Sequence, residues 1–203
     1  GTATGTVLNP GSMNTVVSGG LASGTIVNAN AIESVFAGGQ TVSGTVNSGG
    51  LESVQGGTAL GTLINSGGEL DATGAVTSGL VNYGTVTLVS GTDTGISNYG
   101  QLNVNAGEVI SNGAFAGGFN VNAGGIVSGG SAQLLGDLPQ WITHPWSQYN
   151  VNSGGQVLNF DVTGWYGQMV VHSGGFAANN TVSGGYLSSR NYLFVEAGGM
   201  ATG

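Results

Sequence analysis

Apolar and polar residues alternate along this chain in short runs, and each run closes on glycine. Residues 40–68 show it best. Thr45-Val46-Asn47 sets one apolar side chain between two polar neighbours and runs into Ser48-Gly49-Gly50; Leu51-Glu52-Ser53-Val54-Gln55 then runs into Gly56-Gly57. Alternation of period two puts valine on one face of a strand and its neighbours on the other. Runs of three to five residues are too short for helices, and a helix would be weakened further by this much glycine.

The pattern repeats. Gly-Gly occurs twelve times, seven times as Ser-Gly-Gly and four times as Ala-Gly-Gly, and corresponding pairs recur at a nearly fixed interval. Gly19 to Gly38 is 19 residues, Gly49 to Gly67 is 18 and Gly154 to Gly174 is 20. A period near 19 marks a stacked repeat in which one unit cannot bury its apolar face alone. Two β-branched runs per period, each closed by a glycine corner, predict an all-β chain wound as a parallel β-solenoid. Its main-chain groups are then satisfied between successive coils, and about ten coils at ~4.8 Å make a rod roughly 45–50 Å long.

The repeat divides the chain into three parts. Residues 1–133 carry it and residues 150–203 resume it. Residues 134–149 interrupt it with two of the three tryptophans, Pro139 and Pro145, and no Gly-Gly. Proline lacks the N–H a ladder needs, so this segment is expected as an aromatic loop excursion from one corner.

Composition narrows the function. The net charge is −8, with Arg190 the sole basic side chain, so nucleic-acid binding and attraction to anionic lipid find no cations to work with. Cysteine is absent, which removes disulfides and thiolate sites. No apolar stretch approaches the ~18 residues of a membrane-spanning helix. The start at Gly1 without Met reads as a mature or excised piece of a longer protein.

Few residues suggest chemistry. His144 and His172 lie in separate segments without acids at metal-ligand spacing, so no metal, cofactor or catalytic site is expected. Glu69 and Asp71 share one face of a strand by parity, and all nine carboxylates read as solvated. No nucleophile, base and orienting group can be assembled, which points away from an enzyme. Trp141, Trp146 and Tyr149 are the candidate ligand or partner contacts, because such side chains offer large flat faces with a polar handle. The competing expectation is that they fold back over an apolar flank.

The phrases Gly44-Thr-Val-Asn-Ser-Gly-Gly50, Gly56-Gly-Thr-Ala-Leu-Gly-Thr-Leu-Ile-Asn-Ser-Gly-Gly68 and Val151-Asn-Ser-Gly-Gly155 resemble the imperfect ~19-residue repeats of self-associating autotransporter adhesins, of the diffuse-adherence and antigen 43 type. The resemblance covers most of the chain outside residues 134–149. It implies a right-handed β-solenoid passenger, exposed on the outer surface of a Gram-negative bacterium. Self-association between passengers on neighbouring cells, adherence to a host-surface glycan or protein, and biofilm formation follow from it. It also implies sugar on repeat serines, which makes Ser18, Ser48, Ser66, Ser128, Ser153, Ser173 and Ser183 candidate acceptors. The alternative reading is a carbohydrate-binding solenoid that uses the aromatics of 141–149.

Overall fold

The computed structural model describes residues 1–132, 147–162, 167–183 and 191–203. Most turns contribute three strands, and in two turns a single strand, Val109–Phe115 or Ile126–Ala132, spans the first two faces. In one three-stranded turn the strands are Gln40–Val42, Thr45–Val46 and Leu51–Gln55. Strands of successive turns pair in parallel throughout, and the third face of the solenoid is a ten-stranded sheet with one strand per turn. Nine steps of about 4.8 Å make a rod roughly 43 Å long. Among the described residues no helix is long and apolar enough to cross a membrane.

The glycine corners work by two different mechanisms, as the Asn47–Gly50 corner shows. Gly49 has φ of 74°, in the left-handed region that a side chain disfavours. Gly50 is needed for closeness instead, because a Cβ there would lie 2.5 Å from the Val27 carbonyl oxygen of the turn before. The first glycine of the pair turns the chain, and the second lets the coils touch.

Sequence periodicity suggests two runs per turn, and the structure has three. The additional corner is a single left-handed residue filled in successive turns by Gly24, Ser43, Gly61, Gly79, Gly95 and Asn112. Glycine, serine and asparagine alternate there, and among the described residues a doubled glycine marks it once, at Gly129-Gly130.

Turn length varies along the rod. Thr2 pairs with Leu21 and Leu21 with Gln40, steps of 19 residues. Gln40 to Thr58 and Thr58 to Val76 are steps of 18, and Val76 to Thr92 is only 16. Later steps lengthen, with Gln156 pairing Phe176 at 20 and Phe176 pairing Met200 at 24. The rod is therefore narrow in the middle. The Ile126 to Gln156 step is 30 residues and contains the aromatic segment, of which residues 133–146 lie outside the described residues. Ser147–Tyr149 belong to the strand Ser147–Val151, so the repeat resumes three residues earlier than position 150.

The interior is filled by columns of side chains that share a register. One column of the third face runs Val16, Val35, Val54, Ala72, Leu88, Val104, Val121, Val151 and Val171, all buried. A lone coil cannot enclose these side chains, so burial of each depends on the coils on both sides.

Candidate functional site

The outward positions of the third face carry axial ladders of amides. Asn120 Nδ2 donates to Asn103 Oδ1 at 3.0 Å, and Asn150 Nδ2 donates to Asn120 Oδ1 at 2.9 Å. Two residues along, Asn122 donates to Asn105 and Asn152 to Asn122, both at 2.8 Å. A third ladder climbs another corner through Asn28, Asn47 and Asn65. Each rung spends one N–H and one lone pair, and a primary amide has two of each. The ladder thus presents a regular row of remaining donors and acceptors. At its end His172 Nδ1 stands 3.0 Å from Glu196.

The narrow middle turns come from a shortened corner. Four residues, Asn65–Gly68, separate the second and third faces in one turn, and only Tyr83-Gly84 and Tyr99-Gly100 do so in the next two. Buried Asn82 and Asn98 replace Ile64 in this column and brace the tight bends. Asn82 Oδ1 accepts from the Gly84 N–H at 2.9 Å, while its amide donates to Asn98 Oδ1 at 2.7 Å and to the Gln101 carbonyl at 2.8 Å. The tyrosines project from these bends and stack, with ring centres 4.7 Å apart and planes 10° apart. A groove of about 1290 Å³ follows, running from Ser66 and Tyr83 past Gln101, Gly118 and Gln148 to Tyr192 and Phe194.

Of the predicted contact aromatics, Trp141 and Trp146 lie outside the described residues. Tyr149 does not face a partner. It points into the solenoid at 2% exposure, packs on Phe119 and Phe160 with ring centres 5.0 and 5.6 Å away, and donates its hydroxyl to the Phe115 carbonyl at 3.2 Å. Burial pushes the phenol up to about 12. Parity with inward Val151 was the available signal.

The serines divide by position. Ser18, Ser48, Ser66, Ser153, Ser173 and Ser183 are exposed. Ser128 lies at the additional corner instead, just before left-handed Gly129 in the strand Ile126–Ala132, half-buried and paired with Ser111 and Leu158. Exposed corner hydroxyls such as those of Ser48 and Ser153 rest against the left-handed glycine of the next turn, Gly67 and Gly174.

The carboxylates depart most from expectation. Glu69 and Asp71 are exposed on one face, but Glu33, Glu52, Asp93 and Glu108 are buried inside the coil. Glu33 and Glu52 occupy the same column in consecutive turns. Glu33 accepts hydrogen bonds from Asn14 Nδ2 at 2.8 Å and Thr41 Oγ1 at 3.3 Å. Neither oxygen of Glu52 has a protein hydrogen-bond partner among the described residues, nor do the buried hydroxyls of Thr25 and Thr62. Burial, with repulsion from Glu33 added, raises the Glu52 carboxyl to about 8, and the nearby Thr62 hydroxyl offsets part of that rise. Asp93 accepts from Thr77 Oγ1 at 2.6 Å and is raised by burial to about 6. Glu108 is raised by burial to about 7. Parity with inward Val35 and Val54 would have placed Glu33 and Glu52 inside, against the ordinary preference of acids for water.

Among the described residues, no three of His, Cys, Asp and Glu gather where they would hold a metal ion. Fold and surface together define a parallel β-solenoid with an amide-laddered flank, on which Asp71 shares the column of Asn103 and Asn120. No protein-family model matches the chain, and no curated protein sequence matches it. Its fold is similar to the crystal structure of a TibA fragment hyper-glycosylated by TibC, with a TM-score of 0.52 and 20% identity, covering 100% of this chain and 91% of that one. The chain thus shares the β-solenoid fold of that fragment.

Proposed function

We propose that this chain is a non-enzymatic, surface-exposed adhesive module, and that copies on neighbouring cells associate flank to flank. The observation that carries this reading is the set of axial amide ladders. Each repeats donors and acceptors over three successive turns, so that several weak hydrogen bonds form together when two rods align. Such contacts add through multivalency rather than through one anchoring residue. The TibA fragment, with its similar fold, comes from an autotransporter adhesin, which supports an extracellular setting and roles in adherence and biofilm formation. That fragment is glycosylated. The exposed corner serines, Ser18, Ser48, Ser66, Ser153, Ser173 and Ser183, are the residues of this chain best placed to carry sugar.

Display on the cell surface tests the reading. Cells carrying the chain are expected to clump, and a variant with Asn103, Asn105, Asn120, Asn122, Asn150 and Asn152 changed to Ala is expected to clump far less at equal surface expression. Equal clumping by the variant sinks the flank-to-flank mechanism. Intact mass measured on protein from its native source reports the sugar.

A further inference from the structure

We infer that the groove over the narrow middle turns binds an extended neutral glycan. This site uses none of the aromatics of 141–149; it shares Asn120 and Asn150 with the amide-laddered flank, and its aromatics and glutamines lie outside the ladder.

The groove arises from turn length. Corners of two residues at Tyr83-Gly84 and Tyr99-Gly100 draw the wall inward, while wider turns flank them on both sides. Gly118 deepens the hollow, since it stands in the register position of Gln101 and Gln148 and carries no side chain. The volume exceeds the ~300–1,000 Å³ that holds a compact drug-sized molecule. From the Thr85 turn to the Tyr192 turn there are five inter-strand steps, about 24 Å, which suits a chain of several rings rather than one sugar.

Its lining matches carbohydrate and matches other ligands poorly. Flat aromatic surfaces stand at both ends: the Tyr83/Tyr99 stack, and Tyr192 with Phe194, whose ring centres are 5.6 Å apart with planes at 30°. A pyranose ring has one face of C–H groups that packs on such a surface and a perimeter of hydroxyls that needs donors and acceptors together. Planar amides supply both. Gln101, Gln148 and Gln168 stand in one register column between the aromatic ends, and their side chains have no protein hydrogen bond among the described residues. Among the described residues no charged side chain lines the groove, and the chain carries a net charge of −8. Acidic polysaccharides and nucleic acids would be repelled without any compensating cation, so the ligand class is neutral.

Calorimetric titration of the purified chain with cellohexaose, maltohexaose, mannohexaose and chitohexaose tests the site. At least one hexasaccharide is expected to bind, with an affinity that salt scarcely changes. The double substitution Tyr83→Ala with Tyr99→Ala is expected to weaken that binding by about tenfold or more. A second variant, Gln148→Ala with Gln168→Ala, alters only groove amides that make no protein hydrogen bond and should weaken binding too while leaving the melting temperature in place. Failure of all four sugars to bind overturns the inference, as does binding that both variants leave unchanged. Clumping of cells bearing the glutamine variant is expected to persist, so loss of the glycan site and loss of self-association are read separately.

Discussion

At one interior position the early turns of the solenoid hold Asn14, Glu33 and Glu52, and the later turns hold Leu102, Phe119, Tyr149 and Met169. The backbone path and ladder pairing are the same in both regions. Stacked coils satisfy their main chains regardless of what fills them, so the filling is free to vary and each region takes on its own energetics. The early region encloses carboxyls and hydroxyls whose hydrogen-bonding capacity is only partly used. The later region encloses an aromatic cluster in which Phe115, Phe119 and Phe160 meet edge to face at 5.1 to 5.4 Å. Stability of the first region should therefore respond to protonation, and stability of the second to shape.

The largest expected effect comes from breaking the aromatic region. Phe119→Ala removes a ring buried at 1% exposure that touches Phe115, Tyr149 and Phe160. Loss of transfer energy together with a residual cavity should lower stability by about 3–5 kcal/mol, read by chemical denaturation. Because repeats couple through neighbours, hydrogen exchange should accelerate first in the turns around Phe119.

Raising the pH should act most on the early region, through Glu52, and less on the middle turns that hold Asp93 and Glu108. Glu52 has a folded value of about 8 against an ordinary 4.5, Glu108 about 7 against 4.5 and Asp93 about 6 against 3.8. For a carboxyl raised on folding, the unfolded chain gives up its proton first. Stability is then greatest below about pH 4, and it falls progressively until the pH passes each folded value in turn. Between pH 5 and pH 9 the loss should reach a few kcal/mol, with Glu52 the main contributor. Hydrogen exchange should show the turns around Glu33 and Glu52 opening more, as the pH rises, than the turns of Asp93, Glu108 and Phe119. Glu52→Gln should flatten the upper part of the profile. A profile that stays flat above pH 6 in the parent chain contradicts the burial of these acids.

Most of the architecture was legible because its cause is local: Gly49 and Gly50 turn the chain and permit contact, and that chemistry recurs at the Ser66, Ser153 and Ser173 corners. The Ser43 corner was not legible. A left-handed position accepts glycine, serine or asparagine, so three residue types conceal one geometry. The interior acids were hidden for a different reason. Composition-level reasoning sends carboxylates to solvent, whereas strand parity sends Glu52 to the same side as Val54, and in a coil of this width parity wins. The groove was illegible in principle, since it depends on the difference in length between neighbouring turns. The tyrosines of Asn82-Tyr83-Gly84 and Asn98-Tyr99-Gly100 nevertheless stood in plain view at a 16-residue spacing.

The smallest effect gives the most direct contrast, because one register position carries glycine in both regions. Gly44 and Gly113 share the column that also holds Thr25, Thr62, Leu80 and Ile96, and neither has a left-handed φ. Conformational entropy therefore treats the two alike, favouring alanine slightly in each. Their surroundings do not. A Cβ at Gly44 would meet Thr41 Oγ1 at 3.5 Å and Glu52 Oε2 and Thr62 Oγ1 at 3.6 Å, which is ordinary contact; a Cβ at Gly113 would overlap the Phe115 ring, itself wedged against Phe119 and Phe160. Gly113→Ala should cost about 1–3 kcal/mol through overpacking, and Gly44→Ala should change the unfolding free energy by less than about 1 kcal/mol. Equal destabilisation by both would mean that the polar turns are packed as tightly as the aromatic ones, and the contrast between the two interiors would fail.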